Sequence, residues 1–280
     1  MARLMKSILT EVLTPEEITK IYSAFDIIGD IIIIKIPDSL MLKKQIIAEI
    51  VLQNIKPAKT IFMQTSAVGG DYRIRSLEYL GGVNNAITEY REHGCRFKVD
   101  VVKTYFSPRL STDRLRIAKM ITDNEIVTNM FAGVGTYSIL IAKKNKTCKV
   151  YSIDSNPDAN ELALVNVKIN KVQDNVLPIC GDAREVINSK LKGLSNRVLM
   201  PLPERAKEFV DSAVLALKGS RGIIHYFAHI KAQTKKLAEH EGAIDAKHAF
   251  INYEHTILAT RVVREVGPRR YQIVSDVCIT

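Results

Sequence analysis

The sequence predicts an α/β protein in which a small α+β domain, residues 1–105, precedes a doubly wound domain, residues 106–280. In the first part, helix and strand signals alternate and end in several short strands. From Ser111 onward, each β-rich run is followed by a turn and a helical run, which is the period of a doubly wound parallel sheet. A chain of 280 residues is long enough to bury a core in one large or two modest domains.

The first part opens on a well-marked helix. In TPEEITKIYSAF, Thr14 is a suitable N-cap, Pro15 stands at the first helical position, and acids fill the first turn. Periodicity predicts the following elements after it: the strand DIIIIKIP, the helix SLMLKKQIIAEIVLQNI, the strand TIFMQTS, and short antiparallel strands in GGDYRIRSLEYLGG, NAITEYREHG and CRFKVDVVKTYF.

The second part opens on a predicted capped helix, STDRLRIAKMI. The β-rich runs that follow, most of them continuing into a helix, are EIVTNMFAGVGTYSILIAKK, CKVYSIDSNPDANELALVNVKINK, NVLPICGDAREVINS, NRVLMPLPERAKEFVDSAVLALK and GIIHYFAH. This order is typical of a Rossmann-like sheet with helices on both faces.

Composition narrows the class of protein. The net charge of +10 favours a polyanionic partner, and nucleic acid is the commonest one. The four cysteines and six histidines show no paired spacing, so neither a disulfide framework nor a metal site is expected. The longest apolar run is interrupted by Asp30 and Lys35 and is too short for a membrane span. Because the N-terminus also lacks a secretory signal, we expect a cytoplasmic protein.

A nucleoside-binding site is predicted where three strands of the second domain end. The turn FAGVG, Phe131 to Gly135, lets the backbone approach a ligand and opens a helix. Asp154 ends the next strand, where a carboxylate can accept both ribose hydroxyls. Asp182 in GDARE follows the third strand and is placed to reach an adenine amino group. Because the turn is shorter than the dinucleotide fingerprint, S-adenosylmethionine is favoured over NAD.

Each of these features also has a purely structural interpretation. A glycine-rich turn is often structural, and an acid at a strand end often caps the next helix. The occurrence of all three in order favours the cofactor site. One departure is Asn129 before the turn, where an acid is common in such enzymes: it can accept a hydrogen bond but carries no charge toward the cationic end of the cofactor.

With these motifs in place, the chain resembles the archaeal tRNA guanine-37 N1-methyltransferase family, which includes wyosine-pathway relatives. The matching stretches are RIRSLEYLGG, TEYREHGCRFKVDV, YFSPRLSTDRLRIAK, MFAGVGTYSI, IDSNPDA, INKV, GDARE, NRVLMPLPERAKEF, IIHY and RVVREVGPRRYQIVSDV. They cover most of residues 25–280 in order. Many members carry an extra N-terminal domain that grips the tRNA elbow, and we expect this chain to lack it.

The resemblance implies two catalytic residues. Guanine N1 must lose its proton, so methyl transfer needs a base near N1 and a cation near O6. Arg73 matches the arginine of the family's R-x-R motif, and Asp113 stands where the family has a glutamate, with one methylene less. Structural interpretations stay open: Asp113 is also a suitable first-turn charge, and Arg73 a surface or phosphate contact.

The resemblance also extends the list of expected contacts. Arg109, Arg114, Arg116 and Lys119 would form a basic cluster for the anticodon stem, although each alone fits a solvated helix face. GPRRY, Gly267 to Tyr271, is either an RNA contact or a hairpin turn. The expected cofactor contacts are Phe106, Arg109, Asn129, Phe131, Gly133, Gly135, Asp154, Asp182, Ala183 and Pro201. The expected substrate contacts are Arg109, Arg114, Pro201, Leu202 and Pro203.

The stretch NRVLMPLPE departs from the family at its most informative position. Members usually read Asn-Leu-Pro at the end of this strand, where the Asn side chain can hydrogen-bond the target base. Pro201 offers neither a side-chain donor nor an N–H. The Pro201 carbonyl, the Leu202 N–H and the Met200 carbonyl were expected to be available in its place.

These inferences favour an S-adenosylmethionine-dependent methyltransferase acting on N1 of guanosine 37 in tRNA. The expected partner is the tRNA anticodon stem-loop with guanosine 37 extruded from its stack, with no membrane, no metal and a monomeric enzyme. The alternatives are methyl or aminocarboxypropyl transfer to a wyosine precursor at position 37, and a catalytically weakened tRNA-binding homologue.

Overall fold

The protein is described by a computed structural model that covers residues 2–22 and 24–280, with the side chains of residues 2 and 3 left out. Cα packing divides the chain into two units, Met1–Pro108 and Arg109–Thr280. Ser23, which falls within the first predicted helix, lies outside the described residues.

The first unit is an α+β fold. Its helices are α1 (Ala2–Ile8), α2 (Pro15–Lys20) and α3 (Lys44–Asn54), and its strands are β1 (Asp26–Ile28), β2 (Ile31–Ile34), β3 (Thr60–Gln64), β4 (Leu77–Gly82), β5 (Ile87–Glu92) and β6 (Cys95–Asp100). The sheet order is β1-β2-β3-β4, in which β2 and β3 are parallel and the outer pairs antiparallel. A parallel pair needs a crossover, and α3 supplies it, packing Ile47, Ala48 and Val51 into the core.

The predicted cap of α2 is present, but the end of this helix and the grouping of the short strands differ from the prediction. Thr14 caps α2 through a capping box: its Oγ1 accepts from Glu17 N–H at 3.3 Å, and Glu17 Oε2 accepts from Thr14 N–H at 2.9 Å. The helix ends at Lys20, earlier than predicted. The expected antiparallel set is divided: β4 joins the four-stranded sheet, and β5 and β6 form a separate hairpin.

The second unit is the predicted doubly wound domain. Its helices are α4 (Ser111–Met120), α5 (Thr136–Lys144), α6 (Pro157–Ile169), α7 (Ala183–Val186), α8 (Val210–Ala216) and α9 (Lys235–Ala249). Its strands are β7 (Ile126–Asn129), β8 (Lys149–Asp154), β9 (Val176–Cys180), β10 (Arg197–Met200), β11 (Gly222–Lys231), β12 (His255–Gly267) and β13 (Arg270–Ile279).

The seven strands of this unit form one mixed sheet in the order β12-β13-β11-β10-β7-β8-β9. The strands β7 to β11 are mutually parallel, as predicted. The C-terminal pair was not predicted: β12 and β13 are joined by only Pro268 and Arg269, so they can pair only antiparallel. The GPRRY stretch is therefore a hairpin turn in this structure.

Helices cover both faces of this sheet. His225 and Tyr226 are consecutive on β11 and so point to opposite faces. Tyr226 donates to Asp245 of α9 at 2.9 Å, whereas the face of His225 is the one that carries Asn129, which bonds Ser138 of α5. Because α5 and α9 lie on opposite faces, the parallel strands are buried on both sides and rich in apolar residues. Among the described residues, no helix combines the length and apolarity needed to cross a bilayer.

Gly29, between β1 and β2, shows how tightly the first unit is packed. It has a left-handed φ of 57°, and a Cβ there would overlap Thr88 Oγ1 and the Glu89 carbonyl oxygen. Asp30 N–H donates to Thr88 Oγ1 at 3.1 Å, and Thr88 Oγ1 donates to Asp30 Oδ1 at 2.6 Å. These bonds hold the turn against β5 with no room for a side chain.

We predict that Gly29→Ala lowers the free energy of unfolding more than Gly94→Ala does. Gly94 is also left-handed, with φ of 78°, but a Cβ there would meet nothing within 4 Å. Gly94→Ala should cost about 1 kcal/mol for the backbone alone, and Gly29→Ala roughly 2 to 4 kcal/mol because overlap is added. Urea unfolding followed by circular dichroism measures both, and equal shifts would contradict the packing argument.

Candidate active site

The predicted cofactor residues between Asn129 and Pro201 lie at the carboxyl edge of the sheet of the second unit, whereas Arg109 precedes α4. Backbone hydrogen bonds join the ends of four strands: Met130 N–H to Leu199 O at 3.0 Å, Ala132 N–H to Ile153 O at 2.8 Å, and Gly181 N–H to Asp154 O at 3.0 Å. Strand order reverses between β7 and β10, and ligands of open α/β sheets bind at such a switch point.

The turn after β7 is shaped by its glycines. Gly133 and Gly135 have φ of 55° and 88°, and a Cβ on Gly135 would come within 3.1 Å of Ile139 Cδ1. Gly133 N–H donates to Asp154 Oδ2 at 2.6 Å. The turn is thereby tied to the end of β8, and α5 begins directly after it with its first N–H groups directed to this edge.

Asp154 has a carboxylate suited to a ribose. Its Oδ1 accepts from Asn156 N–H at 2.9 Å and its Oδ2 from Gly133 N–H. Burial raises the pKa of this carboxyl, against the opposing effect of the two N–H donors. Each oxygen keeps a further lone pair, so the pair can still accept two hydroxyl groups.

Asp182 has the capping role that the sequence left open. Its Oδ1 accepts from Arg184 N–H at 2.8 Å at the start of α7, and Ala183 beside it is buried. Nearby, the Phe131 ring packs edge-on against Phe209 at 4.9 Å, and the Arg184 guanidinium lies 4.0 Å from the Phe209 ring centre. Phe209 was missed in the sequence, where its only signal is an aromatic residue in the helical run after PLPE.

Asn129 does not point outward from the turn. Its side chain is fully buried, donates to Ser138 Oγ at 3.2 Å, and accepts from Phe131 N–H at 3.4 Å. We conclude that Asn129 supports the glycine turn from beneath, in place of the direct cofactor contact expected for it.

The loop after β10 is closed on itself. Leu202 N–H donates to Met200 O at 2.8 Å, a three-residue turn centred on Pro201. The Leu202 N–H is therefore engaged within the loop, whereas Met200 O, which has two lone pairs, is not used up by this one bond. Leu202 and Pro203 are buried and Pro201 is partly exposed. Among the described residues, no group of His, Cys, Asp and Glu side chains is arranged to hold a metal ion.

Asp113 lies in the first turn of α4 with both carboxylate oxygens engaged. Oδ2 accepts from the Tyr137 hydroxyl of α5 at 2.9 Å, and Oδ1 accepts from Arg116 Nε at 2.9 Å. The side chain is 5% exposed. Burial, with Asp113 next in importance, raises the pKa of Tyr137 well above its ordinary value, so the hydroxyl stays a donor. The carboxylate is held in one orientation.

The expected exposed basic cluster on α4 does not form as such. Arg114 is among the largest fully buried side chains, and Arg116 is 15% exposed within ion pairs, so neither lies on a solvated helix face. Arg109 and Lys119 are exposed. The predicted cap is also wrong, because Ser111 is already helical and no side chain caps α4.

Asp113 belongs to a buried polar chain that continues across the sheet. Arg116 Nη1 donates to Asp276 Oδ2 of β13 at 2.7 Å, and Asp276 Oδ1 lies 2.6 Å from His225 Nδ1 of β11. His225 Nε2 lies 2.9 Å from Arg197 Nη1 of β10, and Arg197 pairs with Glu125. Sequence reasoning missed this chain, for which the only signal was a histidine and an acid inside apolar strands.

The partners of His225 determine its protonation. Arg197 can only donate, so Nε2 accepts, and Asp276 as a carboxylate can only accept, so Nδ1 carries the proton. His225 is therefore neutral, and burial lowers its pKa against the opposing effect of Asp276. Burial acts to raise the pKa of Asp276, but His225 and Arg116 outweigh it and lower that pKa to about 2.

The remaining predicted residues, Arg73 and Phe106, belong to the first unit. Arg73 has a left-handed φ of 55°, and its guanidinium lies 4.1 Å from the ring centre of Tyr105. The neighbouring Phe106 ring is buried against Tyr90, with 4.9 Å between the centroids. Within the first unit, the R-x-R loop therefore contacts Tyr105, the residue that directly precedes the FSPRL segment. The second arginine of the motif, Arg75, pairs with Asp26 at 3.2 Å.

Comparison with known proteins decides the family. The TRM5/TYW2 methyltransferase domain matches residues 88–250, and the TYW2 N-terminal domain matches residues 5–85. The chain belongs to the TRM5/TYW2 methyltransferase family.

Relatives within the TRM5/TYW2 family carry different names. The chain is 38% identical to the tRNA (guanine(37)-N(1))-methyltransferase Trm5b of Pyrococcus abyssi, over 94% of this chain and 77% of the relative. It is 34% identical to the tRNA 4-demethylwyosine(37)-methyltransferase Taw21 of Saccharolobus solfataricus, over 92% and 94%. A solved complex of aTrm5 and tRNALeu is similar with a TM-score of 0.86 and 35% identity, covering 100% of this chain and 79% of that one.

We predict that stability contributed by His225 is lost as pH falls below about 6.5. The unfolded histidine takes up a proton near its ordinary pKa of 6.5, while the folded one, with a lowered pKa, does not. Unfolding is then favoured by up to about 1.4 kcal/mol per pH unit below that point. The difference in unfolding free energy between wild type and His225→Gln should shrink as pH falls from 7 toward 5, measured by urea titration.

The control is His240→Gln, because His240 is exposed on α9. Its difference from wild type should not change over the same pH range. A His225→Gln difference that is constant with pH would show that the folded histidine titrates like the unfolded one.

Proposed function

We propose that the protein is an S-adenosylmethionine-dependent tRNA methyltransferase that methylates N1 of guanosine 37. The observation that carries the proposal is the closed glycine turn, where Gly133 N–H meets Asp154 Oδ2 beside the loop after β10. In this family such an edge holds a nucleoside next to the place where a base is modified. The relatives' names supply the reaction.

The cofactor site fits S-adenosylmethionine. We assign the ribose hydroxyls to Asp154 and the adenine to the half-buried Phe131 and the loop of Asp182, and the hydrogen bonds of both acids support this. When bound, S-adenosylmethionine supplies an electrophilic methyl group. The protein presents no buried acid at position 129, because that residue is Asn, so cofactor binding rests on the turn and on Asp154.

We assign Asp113 as the base for the N1 proton and Arg73 as the cation at O6. Asp113 is a fixed carboxylate with Tyr137 on one oxygen and Arg116 on the other. Each oxygen has one further lone pair, which is enough to accept a proton from a base or a water. Since aspartate is one methylene shorter than the family's glutamate, a water between the carboxylate and N1 is part of the proposal.

The first unit, with Arg73 and Phe106, is assigned to positioning the RNA, and the enzyme is proposed to act as a cytoplasmic monomer without metal. One observation, on the recognition of the target base, favours a second candidate reaction. Pro201 has no side-chain hydrogen-bonding group, and Leu202 N–H is engaged with Met200 O. Transfer to a wyosine precursor at position 37 is the alternative reaction, and Taw21 is a relative named for such a substrate.

The decisive experiment follows label from the cofactor into RNA. The protein is incubated with methyl-labelled and, separately, carboxyl-labelled S-adenosylmethionine. Two RNA substrates are used, a tRNA transcript carrying guanosine 37 and a tRNA carrying 4-demethylwyosine at that position, and the nucleosides are identified after digestion. We expect methyl label in N1-methylguanosine. Carboxyl label in RNA, or label only when the tRNA carries 4-demethylwyosine, would establish the alternative. Salt-sensitive tRNA binding without label in either substrate would indicate a binding homologue.

We predict that Asp113→Asn and Arg73→Ala each lower turnover far more than cofactor affinity. Loss of the base should cost on the order of 10² to 10⁴ in kcat, and loss of the O6 donor about 10² to 10³. The measurements are single-turnover methylation at saturating cofactor and calorimetric binding of S-adenosylmethionine.

Thr112→Ala is the control on the same helix, since Thr112 is exposed and has no assigned role. Its rate and cofactor affinity should match wild type. An unchanged rate for Asp113→Asn would remove Asp113 as the base.

A further inference from the structure

A basic surface stands at the carboxyl edge of the second unit, outside the cofactor site. It consists of Lys231 at the end of β11, Arg269 and Arg270 at the tip of the β12–β13 hairpin, and Lys235 and Lys236 in the first turn of α9; all five are exposed. We call this set the edge cluster. Glu239, one turn further along α9, and Glu265 on β12 are acids of the same elements, so the five cations keep an excess of positive charge.

Strand pairing holds the hairpin tip and the end of β11 together. Lys231 is the register partner of Arg270, and Ala232 N–H donates to Arg269 O at 3.0 Å. The three cations on these segments are therefore neighbours by backbone geometry. Their arrangement does not depend on flexible side chains finding one another.

Two local features of the cluster run against ordinary preference. Arg269 has a φ of 54° at a hairpin position where glycine or asparagine is favoured. The first turn of α9 carries two lysines and no acid, although the partial positive charge of a helix N-terminus favours acids there. The lysines at the start of α9 favour a bound anion, since an external negative charge would offset theirs, whereas the φ of Arg269 only fixes the shape of the hairpin tip.

The position of the cluster indicates which anion. Met200 at the end of β10 is the partner of Tyr226, and Lys231 lies five residues further along β11. At about 3.3 Å per residue, Lys231 lies about 17 Å further along β11 than the level at which β10 ends and the Pro201 loop begins. Successive base pairs advance about 3.4 Å along the axis of B-DNA and somewhat less in A-form RNA, so 17 Å is about five to six base pairs of a stem.

We propose that the edge cluster binds the phosphate backbone of the duplex stem that adjoins the target nucleotide. The inference rests on the proposed tRNA substrate and adds a residue set that grips the stem independently of the base. Phosphate contacts set the register of a nucleic acid without reading its sequence. The cluster would thus hold the RNA while the loop nucleotide enters the site.

The test compares two pairs of charge reversals, one beside the last residue of β11 and one just before its first residue. Arg269→Glu with Arg270→Glu changes the edge cluster, and Lys218→Glu with Arg221→Glu changes exposed cations before β11 by the same net charge. Binding of a tRNA transcript is measured by fluorescence anisotropy over a series of salt concentrations. For the cluster variant we expect affinity to fall on the order of tenfold or more, with a salt slope shallower by about 2.

The control variant should keep the wild-type slope, and the cluster variant should keep the wild-type kcat at saturating tRNA. An RNA hairpin whose stem is cut to about two base pairs should bind the wild type and the cluster variant equally, because the contacted phosphates are then missing. The inference is overturned if both reversals weaken binding alike, or if the cluster variant keeps wild-type affinity for the full transcript. Failure of the proposed function gives a different result, because the wild type itself would then transfer no methyl group to tRNA or would not bind tRNA.

Discussion

The guanidinium of Arg116 connects two buried carboxylates of the second unit. Arg116 donates to Asp113 of α4 and to Asp276 of β13, so a helix and an antiparallel strand share a buried cation. Two carboxylates enclosed without it would each keep an uncompensated charge, which costs about 3 to 5 kcal/mol when a buried pair is broken. Burial opposes the charge on Arg116, but Asp113 and Asp276 together raise its pKa. The orientation of Asp113 depends on this bridge.

The same bridge explains why an apolar α/β sheet contains a polar layer. Asn129, Leu199 and His225 are aligned across β7, β10 and β11, and Asp276 pairs with His225 on β13. This row faces α4 and α5, where it meets Ser138 and, through Arg116, Asp113. Polar groups buried in this way specify one arrangement, because each has its partner only in the native register. Asn129 beneath the glycine turn and the carboxylate of Asp113 are therefore both held on this one face of the sheet.

Much of this architecture follows from local patterns in the sequence. The βα period located β7 to β11, and FAGVG with Asp154 located the turn, because strand ends and glycines leave signals within a few residues. A hairpin turn at GPRRY was one of two alternatives, but the two long strands that it joins were not located, since they lie outside the βα period. The pairing of His225 with Asp276, which are 51 residues apart, and the burial of Arg114 also left no local signal. These depend on which elements become neighbours, and composition alone places an arginine on the surface.

The loop at Pro201 shows how a missing side chain changes the demands on the rest of a site. A substrate hydrogen bond is selective because a base that cannot make it leaves a buried group unpaired. In this chain the Leu202 N–H already donates to the Met200 carbonyl, so this donor is not left unpaired when a different base is present. The loop then contributes its shape and its apolar surface to the site. Discrimination between guanine and a tricyclic precursor must then come largely from groups elsewhere in the site.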